Sequence, residues 1–118
     1  RQDLVLTPEQ LAQYDGTDPA KPIYLAVGGA VYDVTEGRRF YGPGGAYAFF
    51  AGRDATRAYI TGCFATHLTH DVRGLDADEV AQGLKQWQDF YGSHARYLRV
   101  GRVVLPPIAP DAPVPEPC

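Results

Sequence analysis

Gly42-Pro43-Gly44-Gly45 constrains this chain more than any other four residues in it. Glycine and proline together permit sharp turns and a close backbone approach to a flat ligand, which a Cβ would block. The turn sits inside Arg38 to Ala58, RRFYGPGGAYAFFAGRDATRA, with Tyr41 before it, Tyr47 after it and Tyr59 just beyond. A short helix is predicted over 46–51, which puts Tyr47 on its first turn. From there a phenol can bind a metal as phenolate or simply pack, and the local sequence does not choose between the two.

The remaining elements follow from local signals. Val5-Leu6 reads as a short edge strand. Thr7, Pro8 and Gln10 give an N-cap, a first-position proline and a capping box, and the helix they open is predicted to end near Asp15-Gly16. Gly28-Gly29 between Ile23–Val27 and Ala30–Val34 is a two-residue hairpin signal. Asp54 is placed as the cap of a helix running to about Ile60 and stopped near Gly62. Asp76 to Glu79 opens the longest helix, to about Tyr91. On it Val80, Leu84, Trp87 and Tyr91 share one face, which reads Trp87 as core. Tyr97 to Val104 forms a last strand. The architecture is α+β, a small sheet with helices lining a pocket. It divides into a domain over 1–105 and a proline-rich tail over 106–118.

A formal net charge of −3, with the 9 arginines among 11 basic residues scattered, argues against a nucleic-acid surface. No run reaches the roughly 18–20 apolar residues of a membrane span. A chain that lacks methionine and starts at Arg1 reads as a fragment or processed product, with any signal peptide or anchor outside it. Of its two cysteines, Cys118 ends the tail PPIAPDAPVPEPC, which has little reason to be ordered unless tied down. A Cys63–Cys118 disulfide would pin that tail and imply an oxidising compartment, the alternative being two free thiols. His67 and His70, three residues apart in CFATHLTHDVRG, lack further ligands, so locally bonded or solvated histidines fit better than a metal site.

Three collinear stretches, TPEQLAQYDG, IYLAVGGAVYDVTEGRRFYGPGGAYAFFAGRDATRA and YLRVGRVV, are similar to the membrane-associated progesterone receptor family, on its neuferricin and neudesin side. That family is a haem-binding branch of the cytochrome b5-like fold, and the likeness covers about Leu6 to Val104. Electron-carrying cytochrome b5 domains hold haem between two histidines, the first in a His-Pro-Gly-Gly turn. Here a glycine stands in place of that histidine, and the segment that supplies the second reads AGRDATRA. The resemblance therefore implies ferric haem b bound through a tyrosine, Tyr47. Tyr41 is implied beside the haem as a hydrogen-bond donor to the phenolate, and Arg96-Tyr97 as a basic-plus-tyrosine pair. Arg53 and Asp54 read as structural.

Function then divides three ways. The leading expectation is a non-enzymatic haem-binding domain that senses or carries haem, self-associates through an exposed porphyrin face, or meets haem-thiolate monooxygenases in the secretory pathway, the endoplasmic reticulum or outside the cell. The alternatives are peroxidase-like chemistry at an open haem face and a steroid- or lipid-binding module.

Overall fold

In a computed structural model that describes residues 4–118, the backbone forms a four-stranded sheet with helices on both sides. The strands are β1 (Leu4–Leu6), β2 (Tyr24–Val27), β3 (Ala30–Asp33) and β4 (Leu98–Val103). Their spatial order is β1-β4-β3-β2, with β1 parallel to β4 and the other pairs antiparallel. The helices are α1 (Pro8–Ala12), α2 (Arg38–Tyr41), α3 (Thr56–Thr61) and α4 (Ala77–Ser93), with 3-10 turns at Thr35–Gly37 and Ala48–Phe50.

All four β2 residues are buried, because both faces of the sheet carry a core. Ile23, Leu25 and Val27 point to the side that holds Tyr41, Tyr59 and Tyr91; Tyr24 and Ala26 alternate to the side that holds Leu6 and Leu11. The free edge of β2 is covered by the chain that follows Ala51. Ala26 N–H donates to the Arg53 carbonyl (3.0 Å), and Gly52 N–H to that of Tyr24 (2.7 Å).

The hairpin forms as its glycines require, with φ of 58° and 82° at Gly28 and Gly29. Its two turn N–H groups donate to Thr56 Oγ1 (2.8 Å) and Asp54 Oδ2 (2.8 Å). Asp54 Oδ1 in turn accepts from the Thr56 N–H (3.0 Å) and hydroxyl (2.5 Å). This buried carboxylate thus fastens the hairpin to the start of α3, but it is not the helix cap expected of it: the N-cap is Ala55, one residue later, and it makes no side-chain cap bond. At the other end α3 closes on Gly62 at φ 74°.

The capping box at Thr7 and the Asp76 cap of α4 are both formed. Two further helix expectations need correction. Helix α1 ends at Ala12 rather than near Gly16, since the Tyr14 carbonyl accepts from Tyr24 N–H (3.0 Å) and Asp15 turns onto Thr17. The helix predicted over 46–51 is a single 3-10 turn, with Tyr47 flanking it at φ −118° and Ala51 already extended. Gly45 also has a different reason than a ligand: a Cβ there would collide with the Phe40 carbonyl.

Cys63 and Cys118 are joined, so the tail is tied down as expected of that pairing. Beyond β4 the chain lacks helix and strand, and basic side chains hold its carbonyls. Arg73 donates to Ala112 (3.1 Å) and Pro113 (3.2 Å), and Arg57 to Pro115 (3.5 Å). No helix among the described residues is long and apolar enough to cross a membrane.

Candidate functional site

Five segments converge on one cavity of about 500 Å³. Helix α2 ends in Tyr41, the glycine-proline turn delivers Tyr47, and the 3-10 turn brings Phe50. Helix α3 and the residues after it add Ala58, Tyr59, Gly62 and Phe64, and α4 adds Gln86, Trp87, Phe90 and Tyr91. None of these lining residues carries a charge. Trp87, expected as core, is half-buried. It packs on the core and walls the cavity at once, with its ring 5.0 Å from that of Tyr59.

At the back of the cavity the Tyr91 hydroxyl bonds to those of Tyr41 (2.8 Å) and Tyr59 (2.9 Å). Burial pushes all three phenols well above their usual value, since each ionised form would lose its water. This chain is neutral at any physiological pH. Three hydroxyls carry three hydrogens and share two bonds, so one O–H is not used within the chain.

Tyr47 differs from the other three. It is 43% exposed, and its hydroxyl makes no hydrogen bond to a described residue. Its ring lies 6.3 Å from that of Tyr41 and stacks towards Phe50 at 6.3 Å. Phe50 stacks in turn on Tyr59 at 4.2 Å, giving a flat aromatic wall.

The structure brings Tyr41 and Tyr47 together on the cavity and leaves Arg96 and Tyr97 outside its wall. Tyr97 is half-buried behind Tyr41 and Tyr91, at 6.2 and 6.0 Å between ring centres, and burial raises its phenol. His94 stacks on the Tyr97 ring at 3.9 Å. Arg96 is exposed, and its backbone N–H donates to His94 Nδ1 (3.0 Å).

The other histidines serve the tail. His67 is buried, accepts from the Thr61 hydroxyl (2.8 Å) and donates from Nε2 to the Glu116 carbonyl (2.6 Å). His70 donates to the Pro106 carbonyl (3.0 Å). Among the described residues no three His, Cys, Asp or Glu side chains group as a metal site.

Sequence reasoning missed Tyr59 and Tyr91 as site residues, and Phe64 and Phe90 as walls. A tyrosine on an apolar helix stripe needs a partner for its hydroxyl, and that was the available signal for Tyr91.

A small mixed sheet, helices on both sides of it and an aromatic cavity beside a glycine-proline turn define a cytochrome b5-like domain. The chain belongs to the cytochrome b5-like haem/steroid-binding domain family, whose model matches residues 7–104, and to its membrane-associated progesterone receptor branch. It is 46% identical over 114 residues to membrane steroid-binding protein 1 of Arabidopsis thaliana, covering 95% of this chain and 50% of that one. Neuferricin of Danio rerio is 44% identical over 102 residues, 86% of this chain and 37% of that protein. A solved Arabidopsis thaliana protein, described as having a cytochrome b5-like fold, superimposes with a TM-score of 0.75 at 40% identity, over 89% of this chain and 94% of that one. The chain spans between 36% and 50% of the length of the plant membrane steroid-binding proteins that it matches.

Proposed function

We propose that this domain binds ferric haem b in the aromatic cavity with the Tyr47 phenolate as axial ligand, in a non-enzymatic role of haem sensing, carriage or haem-dependent association. The observation that carries this reading is the contrast among the cavity phenols. Tyr41, Tyr59 and Tyr91 are committed to a neutral hydrogen-bonded chain, whereas the exposed Tyr47 hydroxyl has no partner among the described residues. The space also fits. About 500 Å³ lies within the range of ~300–1,000 Å³ usual for cofactor pockets, and flat aromatic walls without charge suit a porphyrin face.

When bound, the haem would supply a ferric centre that stabilises a phenolate, a known class of proximal ligand. The protein does the rest. Phe50 and Tyr59 would pack against the ligand, the phenol chain keeps its protons, and Tyr41, with its ring 6.3 Å from that of Tyr47, would donate to the Tyr47 phenolate. Arg96 is an exposed cation beside Tyr97, available to an anionic edge of the ligand. Peroxidase-like chemistry fits less well, because no histidine or arginine lines the cavity to move a proton. Tyr47, Phe64 and Phe90 are exposed around the mouth, which supports association through this face, with a second copy or a haem-thiolate monooxygenase. The disulfide supports residence in the secretory pathway or outside the cell.

A steroid reading shares the uncharged lining and the names of the plant relatives. The absorbance spectrum of the protein with added hemin separates the two. A Soret band with a high-spin ferric charge-transfer band is expected, and no spectral change at stoichiometric hemin would overturn the haem reading.

A further inference from the structure

Cys63 lies between two residues that line the cavity, Gly62 and Phe64. Its partner Cys118 is exposed, while Cys63 itself is 4% exposed. The segment between Cys63 and Gly74 has little regular structure of its own and is organised around the tail. Arg57 is 4% exposed, and its guanidinium donates to the carbonyls of Asp71 (3.1 Å), Arg73 (2.9 Å) and Pro115 (3.5 Å). Its Nε already lacks a partner among the described residues. His67, also buried, donates its Nε2–H to the Glu116 carbonyl. Removing the tail would leave both buried groups short of an acceptor, which a buried polar group tolerates poorly.

We propose that the Cys63–Cys118 disulfide is a reducible clasp on the cavity wall, so that a dithiol reductant loosens the Gly62–Phe64 wall and speeds ligand release. The proposal rests on the haem reading for the identity of the ligand, though not for the clasp itself. A thiolate of the dithiol attacks the Cys118 Sγ from the exposed side. The S–S bond breaks and its electron pair leaves on the Cys63 Sγ. There the Thr66 hydroxyl, at 3.1 Å, donates to the departing sulfur. The second thiol of the reductant then displaces Cys118 from the mixed disulfide. The protein ends with two protonated thiols and the reductant as its own disulfide, so two electrons and two protons have moved. Six of the thirteen residues over 106–118 are proline and have no N–H to offer, so the freed tail holds on through a few carbonyls alone.

The test compares oxidised protein, the same protein reduced with dithiothreitol, and a Cys63→Ser/Cys118→Ser variant, all as the full chain. Hydrogen exchange without hemin should show lost protection over 63–74 in the two unclasped forms while β2 and β3 stay protected. Hemin transfer to apomyoglobin should be at least about tenfold faster from both unclasped forms, the effect falling on the off-rate. Unchanged exchange and transfer would overturn the clasp. So would fast transfer from reduced protein with slow transfer from the double serine variant, since the thiols themselves would then be acting on the haem. If oxidised protein takes up no hemin, the haem reading fails, and the exchange comparison still decides the clasp. Should the serine variant fail to fold, reduction of folded protein gives the same exchange readout.

Discussion

Tyr41 and Tyr91, fifty positions apart in sequence, share a hydrogen bond of 2.8 Å between their hydroxyls at the back of the cavity. Because Tyr59 bonds to the same Tyr91 oxygen, the three phenols do not contribute equally. Tyr91→Phe would strand two buried hydroxyls, at ~1–3 kcal/mol each, and should lower stability by about 2–6 kcal/mol. Tyr59→Phe leaves the Tyr41–Tyr91 bond in place and should cost about 1 kcal/mol. Urea unfolding of the ligand-free protein measures both, and equal losses would refute the hub.

The pH dependence of stability should have two limbs. The buried phenols of Tyr41, Tyr59 and Tyr91 are raised on folding, so their contribution is complete below the unfolded tyrosine value of ~10 and falls as pH rises beyond it. On the acid side, hydrogen bonds from Arg73 hold the Asp71 carboxyl down at about 2, from an ordinary 3.8. That contribution is present above pH 3.8 and is lost as pH falls towards 2. Urea midpoints against pH should show both limbs, and Asp71→Asn should flatten the acid one. An acid limb unchanged in Asp71→Asn would assign it to other groups.

Asp54→Ala should be among the most damaging substitutions outside the apolar core. It removes the acceptor of the Gly29 N–H, the Thr56 N–H and the Thr56 hydroxyl at a largely buried position. A loss of about 2–3 kcal/mol is expected, with Asp54→Asn milder because one acceptor oxygen remains. Thermal unfolding checks the order, and an Asp54→Ala protein as stable as wild type would mean that water replaces the carboxylate.

Sequence carried the parts of this fold that are locally encoded. Gly28-Gly29 demands a tight hairpin, and Thr7, Gln10 and Asp76 name helix starts, because each signal spans four residues or fewer. The Gly-Pro-Gly-Gly turn and its flanking tyrosines located one wall of the cavity. The Tyr41–Tyr91–Tyr59 chain was not legible, since it joins three segments that only the tertiary fold brings together. The period of Val80, Leu84, Trp87 and Tyr91 gave the inward face of α4 but not the point at which that face opens onto a cavity. Over 46–51, the sequence suggested a longer helix than the Tyr24–Gly52 bond allows.

Reduction should be unfavourable and slow. No histidine lines the cavity, and a phenolate donor stabilises the higher charge of ferric iron. Spectroelectrochemistry of the hemin complex should therefore give a potential well below that of bis-histidine cytochrome b5 domains, with slow reduction by a cytochrome b5 reductase. A reversible couple in the usual cytochrome b5 range, with fast enzymatic reduction, would restore the electron-carrier role.

The central claim is the axial role of Tyr47, and a hemin titration of Tyr47→Phe beside wild type tests it most directly. Tyr47 is exposed at the rim and its hydroxyl has no hydrogen-bond partner among the described residues, so the substitution should leave the fold and unfolding midpoint as they are. The variant should lose the high-spin ferric charge-transfer band and bind hemin far more weakly, whereas Tyr41→Phe should keep the band with a modest shift. A Tyr47→Phe protein that binds hemin as tightly as wild type, with the same spectrum, would contradict it.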